Sequence, residues 1–262
     1  MALASMSEIF ERMARNGQEF WEVVLADDMD ERQVSREASM AKMLTTWQAM
    51  QDAADSYTGR KRSVSGLVGG DGMKMRQYTF RGCAMTGGYV SEVIAEALSM
   101  AESNACMRRI VAAPTAGACG VLPAVLLPLC KYEELSQHQI LEALYVASGI
   151  GAVIAYRACI AGASGGCQAE IGTASAMAAV SWSQPIPQPI KTASHLPSSS
   201  SIFLMFCDEI LPLLFVISGN SIFSGHDEVT AGYALSGKAS FISPAPLFTA
   251  AADAITAAPG IS

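Results

Sequence analysis

Apolar side chains return at three- and four-residue steps through the first sixty residues: Ile9, Phe10, Met13 and Phe20, then Leu44, Trp47, Met50 and Ala54. An α-helix needs that period to gather one apolar face, so two or three amphipathic helices are expected over residues 1–60. From about 61 to 180 the pattern changes, and glycine-rich joints separate long runs of small residues. The run 89-YVSEVIAEALSMAESNA-105 predicts one helix. The run 135-LSQHQILEALYVASGIGAVIAYRA-158 predicts another, starting after a turn near Lys131 and bending or breaking at Gly149 or Gly151. Strand-like alternation of useful length is missing. Residues 85–180 are therefore expected to be mostly helical, with breaks at 114–120 and 162–166, and the fold class is mainly α.

Past residue 180 the texture shifts. Eight of the eleven prolines and fourteen serines lie from Ser181 onward, against seven charged residues between 182 and 262, so neither helical period nor a solvating charge pattern is visible there. The expected organisation has three parts: N-terminal helices over 1–60, a helical region over 61–180 built around glycine turns, and a divergent, irregular tail over 181–262.

A chain of 262 residues can bury a sizeable core without disulfides. Its seven cysteines show no paired short spacings, and charges begin at Glu8 with no secretory segment ahead of them. The expected compartment is the reducing cytoplasm. A formal charge of −7 leaves no basic patch, which argues against a nucleic-acid partner. The stretch 201-SIFLMFCDEILPLLFVISGNSIF-223 has Asp208 and Glu209 near its middle, each costing roughly 2.5 kcal/mol or more in a bilayer. The run 121-VLPAVLLPLC-130 is too short to span one. No transmembrane helix is expected.

Chemistry concentrates in three glycine turns, each followed by helix-like sequence: 65-SGLVGGD-71, 114-PTAGACG-120 and 162-GASGGCQAE-170. Glycine lets a backbone turn sharply and approach a ligand, and a helix start offers unpaired N–H donors to an anion such as a carboxylate. Ser65, Gly66, Gly69 and Gly70 of the first turn and Thr115, Gly117 and Gly120 of the second are thus candidates for binding a small acidic substrate. The competing reading is three tight connections in a packed bundle. Dinucleotide and Walker-type phosphate sites are not indicated, since neither a strand-led G-x-G-x-x-G nor a Walker lysine is present.

Cys167 follows two glycines and opens a helix-like segment. It reads either as a small buried hydrophobe or as an open thiol whose pKa a helix start would lower, making it a nucleophile or metal ligand. Zinc is not supported, because no second ligand pair accompanies it. Pyridoxal phosphate would need a Schiff-base lysine, and none of Lys42, Lys61, Lys74, Lys131, Lys191 or Lys238 lies in the turns at 114–120 or 162–167. His138, His195 and His226 read as surface residues, and no general base is assigned.

The phrases 65-SGLVGGD-71, 103-SNACMRRIVAAPTAGACGVLPAVLL-127 and 165-GGCQAEIGTASAMAA-179 resemble the iron–sulfur-dependent L-serine dehydratases, in their alpha subunit or domain. The match runs from about residue 60 to 180, with fainter agreement before it. The resemblance implies a lyase that converts L-serine to pyruvate and ammonia. It implies a [4Fe–4S] cluster held by three cysteines, whose open iron acts as Lewis acid on the departing hydroxyl, a poor leaving group without such help. Cys167 matches the first cluster ligand, and the turns at Ser65 to Gly70 and Thr115 to Gly120 match regions that build the substrate pocket. A beta subunit or a second copy of the chain is the implied protein partner.

The chain departs from that family where the other two ligands should fall, in a phrase of the form C-D-P-V-x-G-x-V-x-x-P-C. Cys207 and Asp208 preserve its start, but Ser218 stands where the last cysteine belongs, and no cysteine follows Cys207. The expected ligand set, Cys167 and Cys207, is one thiolate short. Either the sequence past about 180 is a truncated or frame-shifted replacement for the family's own, or the chain has diverged into a non-catalytic helical subunit that binds a partner.

Overall fold

The computed structural model describes residues 3–82 and 84–183. Among them are eight α-helices and one short 3-10 turn, with no strand: α1 Met6–Asn16, α2 Phe20–Arg32, α3 Arg36–Asp55, α4 Asp71–Phe80, α5 Gly87–Ala105, the 3-10 turn Ala116–Ala118, α6 Val121–Tyr132, α7 Gln137–Arg157 and α8 Gly162–Ser183. The expected mainly α class, the helical N-terminus and the helices near 89–105 and 135–158 are all present. The tail over 184–262, with Cys207, Ser218, His195, His226 and the apolar stretch 201–223, lies outside the described residues.

Local signals set the N-terminal boundaries. Ser5 and Ser35 accept from the third amide beyond them and so start α1 and α3, while Glu19 and Glu22 form a reciprocal capping box that starts α2. Gly17, in the left-handed region at φ 63°, ends α1. The period-derived residues Ile9, Phe20, Trp47, Met50 and Ala54 are buried as expected, but Phe10 is 54% exposed. It lies next to Ile9 on the helix and 100° round from it, outside the arc that faces α2.

Helix α7 is the central post. Ser136 and Gln139 cap its start reciprocally, and it packs on α2, α3 and α8 with Ile140, Leu144 and Tyr145 fully inside. The bend expected at Gly149 or Gly151 is absent: α7 runs unbroken from Gln137 to Arg157. These glycines serve packing instead. A Cβ on Gly149 would stand 2.5 Å from Val24 Cγ2, and one on Gly151 would stand 2.9 Å from Met177 Sδ, so the missing side chains let α2 and α8 approach closely. By length and composition α7 is the one described helix able to cross a membrane, yet 72% of that stretch is buried inside the fold, as befits a core helix.

A second core of small residues fixes the region of interest. Val93 and Ala97 of α5, Ala118, Val121 and Ala124 at the start of α6, and Ile171, Ala174 and Ala178 of α8 pack together. Side chains this short bring three helices close enough for the loops at their ends to meet.

Candidate functional site

The first turn is closed by the protein itself. Gly69 and Gly70 adopt φ 138° and 87°, and a Cβ on Gly69 would lie 2.4 Å from the Lys61 carbonyl oxygen, so glycine is required there. Glu102 of α5, only 4% exposed, inserts its carboxylate at the start of α4. It accepts from the amides of Gly70 (2.8 Å), Asp71 (2.6 Å) and Gly72 (3.3 Å), and also from the Tyr57 hydroxyl. The Met73 amide in turn donates to Tyr57. Burial and the neighbouring Glu102 push the Tyr57 phenol up to about 12. The anion-binding character expected at this turn is therefore real, but an internal carboxylate fills it. The Gly70 donor is taken, and Ser65 and Gly66 sit on an exposed loop where Ser65 and Ser63 bond each other at 3.0 Å.

The second and third turns meet. Thr115 leads from an extended backbone into the 3-10 turn, and its Oγ1 is buried with no hydrogen-bond partner among the described residues. Asn104 of α5 donates to the Ala116 carbonyl at 3.0 Å, tying the turn to α5. Gly120 precedes α6, whose start carries no side-chain cap; a Cβ there would crowd the Ala97 carbonyl at 3.3 Å. A cleft of about 250 Å³ opens beside this turn, walled by Ala101, Asn104, Gly117, Cys119, Gly120 and Ile171 among others. Cys119 is 2% exposed, and burial pushes its thiol up to about 12, so it remains a neutral thiol.

At the third turn the backbone breaks at Gly166 (φ 76°, ψ 172°), inside α8. The break was expected from the sequence, and it makes Cys167 the first residue of the longer helical segment, with its side chain exposed. Three positions on, along the same face, stands Glu170. Its carboxylate lies against the α-carbons of two glycines from different turns: a Cβ on Gly117 would come within 2.4 Å of Glu170 Oε2, and one on Gly162 within 2.6 Å. Among the described residues Glu170 has no hydrogen-bond or ion-pair partner. Cys159, also exposed, places its sulfur 2.8 Å from Ser164 Oγ, and that hydrogen bond holds its thiol below the ordinary thiol range.

Reasoning from sequence named Cys167, Thr115, Gly117 and Gly120: Gly117 meets α8 at Glu170 and lines the cleft with Gly120, Thr115 opens the same turn, and Cys167 stands on α8 three positions before Glu170. It missed Glu102, Glu170 and Cys159. The only local sign of Glu102 was a lone charge within 98-LSMAESNA-105, and Glu170 stood in plain sight one helical turn beyond Cys167. His138, expected at the surface, lies on an exposed face beside Glu142 at 3.3 Å, and Lys61 is exposed.

These residues do not by themselves fit a [4Fe–4S] cluster. Among the described residues no three His, Cys, Asp or Glu side chains come together as a metal-binding group. Cys167 offers one open sulfur, Cys119 is sealed and neutral, and Cys207 lies outside the described residues.

The chain is a helical domain with a cleft at the start of α6 and an open thiol and an unpaired carboxylate on α8 close to it. The chain belongs to the serine dehydratase alpha chain family, whose model matches residues 15–193. That match begins well before residue 60 and takes in α2 and α3. A Bacillus subtilis protein named "Probable L-serine dehydratase, alpha chain" is 30% identical over 221 residues, covering 82% of this chain and 73% of the relative. The L-serine dehydratase alpha chain of Peptoniphilus asaccharolyticus is 30% identical over 215 residues, 81% of this chain and 74% of its own. L-serine dehydratase 2 of Escherichia coli is 46% identical over 84 residues, 32% of this chain and 18% of that protein. No solved structure matches.

Proposed function

We propose that this chain is the alpha chain of an L-serine dehydratase, a cytoplasmic lyase that takes L-serine to pyruvate and ammonia in company with a beta chain. The substrate site is the junction of Thr115–Gly120 with Gly162–Glu170. The observation that carries this reading is the shared face of α8, where Cys167 and Glu170 stand one turn apart and Glu170 locks against both glycine turns. Gly117 and Gly120 line the cleft assigned to the substrate and Thr115 opens the same turn, whereas the Gly70 amide is taken by Glu102. Cys167 is one thiolate ligand of a [4Fe–4S] cluster, and the other ligands come from outside residues 3–183.

The test is anaerobic purification of this chain alone and together with its partner chain, followed by iron and sulfide analysis and pyruvate formation from L-serine. The expected result is a colourless, inactive isolated chain and a brown, active complex that loses both properties in Cys167→Ala. Full activity in that variant overturns the assignment of Cys167. A well-assembled complex that never forms pyruvate supports the non-catalytic subunit instead.

A further inference from the structure

We propose that Glu170 is the receptor for the ammonium group of an α-amino acid, and so the residue that makes the site select an amino acid over the corresponding hydroxy acid. The inference rests on the substrate site proposed above.

Two buried or half-buried carboxylates face glycine turns in this fold, and they differ sharply. Glu102 is saturated by three amides and a phenol, so it is a structural anchor. Glu170 has no such partner among the described residues, yet it is not loose. Its carboxylate occupies the space that two absent side chains would fill, those of Gly117 and Gly162. A carboxylate without an internal donor is open to an external one, and a charged acceptor gains most from a charged donor.

The surroundings define the size and polarity of that donor. Gly117, against which the Glu170 carboxylate lies, and Ile171, the residue after Glu170 on α8, both line the cleft of about 250 Å³, so the carboxylate stands at the margin of the cleft. The other walls are mostly small or aliphatic, Ala97, Ala101, Ala105 and Val121 among them, with the Asn104 amide as a polar group, and the volume suits a small amino acid. Thr115 Oγ1, buried and unpartnered in the same turn, is a second group awaiting a hydrogen bond. Past Gly120, α6 starts without a side-chain cap, and Val121 and Leu122, though not Pro123, carry amides for the carboxylate end of a zwitterion. Cation receptor and anion receptor thus flank one small cleft.

The experiment uses the assembled complex and compares wild type with Glu170→Gln and Gly117→Ala. The first keeps shape and removes charge. The second pushes the carboxylate aside with a Cβ, at a position free of positive φ, so the fold has no reason to fail. L-Serine and glycerate are the probes, with binding measured by calorimetry and turnover by pyruvate formation. Wild type is expected to bind L-serine and to discriminate against glycerate, and both variants are expected to bind L-serine at least about tenfold more weakly, chiefly through KM. Serine affinity unchanged in Glu170→Gln overturns the proposal while leaving the dehydratase reading intact. So does a variant whose kcat falls while its serine affinity holds, because Glu170 would then move a proton rather than bind an amine. A wild-type complex that neither binds nor consumes L-serine overturns both readings.

Discussion

Replacing Glu102 by Gln removes one charge and keeps the volume, and its cost follows from the four hydrogen bonds at the start of α4. The wild-type carboxylate accepts from Gly70, Asp71, Gly72 and Tyr57 in a site only 4% exposed. A glutamine has one acceptor oxygen. Its amide NH2 must therefore face backbone N–H groups, leaving at least one buried donor unpaired. Hydrogen bonds to a charged group are worth about 1.5–3 kcal/mol each in net terms, but four bonds to one carboxylate share a single desolvation cost and do not add. We expect a net loss of about 3 kcal/mol, or about 6–12 °C in Tm for a domain of this size.

Thermal and urea unfolding of the complex would measure it, with far-UV circular dichroism to confirm that helix content is kept. A change in Tm below about 2 °C would refute the account, because it would mean that the helix start is satisfied equally well by water or by other groups. Should Glu102→Gln fail to fold, Tyr57→Phe is the milder probe. It removes one of the four donors and leaves the Met73 amide without its acceptor, for an expected cost of about 1 kcal/mol.

Gly149→Ala should destabilise by about 1–3 kcal/mol in chemical unfolding, since the new Cβ meets Val24 Cγ2 at 2.5 Å and Phe20 Cε1 at 2.9 Å, and neither can retreat from the core. Stability should also fall in alkali. Tyr57 and Tyr145 are each raised to about 12 in the folded state, against about 10 when unfolded, so their contribution is complete below pH 10 and is lost as pH rises towards 12. Tyr57→Phe should shrink that alkaline loss in denaturation curves taken across the range; an unchanged loss would contradict the assignment. Limited alkylation at neutral pH, read by mass spectrometry, should label Cys159 well before Cys119, because the first is exposed with its thiol below the usual range and the second is buried and raised to about 12. Equal labelling would mean that the turn 116–120 opens readily.

What the sequence disclosed and what it hid divide along the range of the interactions involved. Helical period is a local property, so α3, α5 and α7 were legible from their apolar spacing, and the break at Gly166 followed from two adjacent glycines ahead of a new helical run. A glycine's purpose is not local. Gly149 and Gly151 looked like hinges in the string of residues, but their role depends on Val24, Phe20 and Met177, which approach from other helices. The same distinction governs the site. The first glycine turn was read as a cradle for a substrate anion, and the anion on its amides is Glu102, some thirty positions downstream, which nothing in 65-SGLVGGD-71 announces. The second and third turns could be placed near one another only through the small-residue stripes of α5, α6 and α8, whose close packing brings Gly117 to Glu170. Glycine-rich turns of similar look thus meet a carboxylate in two different ways. The difference lies in whether a neighbouring helix happens to carry a carboxylate that fills the donors, as α5 does, or one that is itself left without a partner, as α8 does.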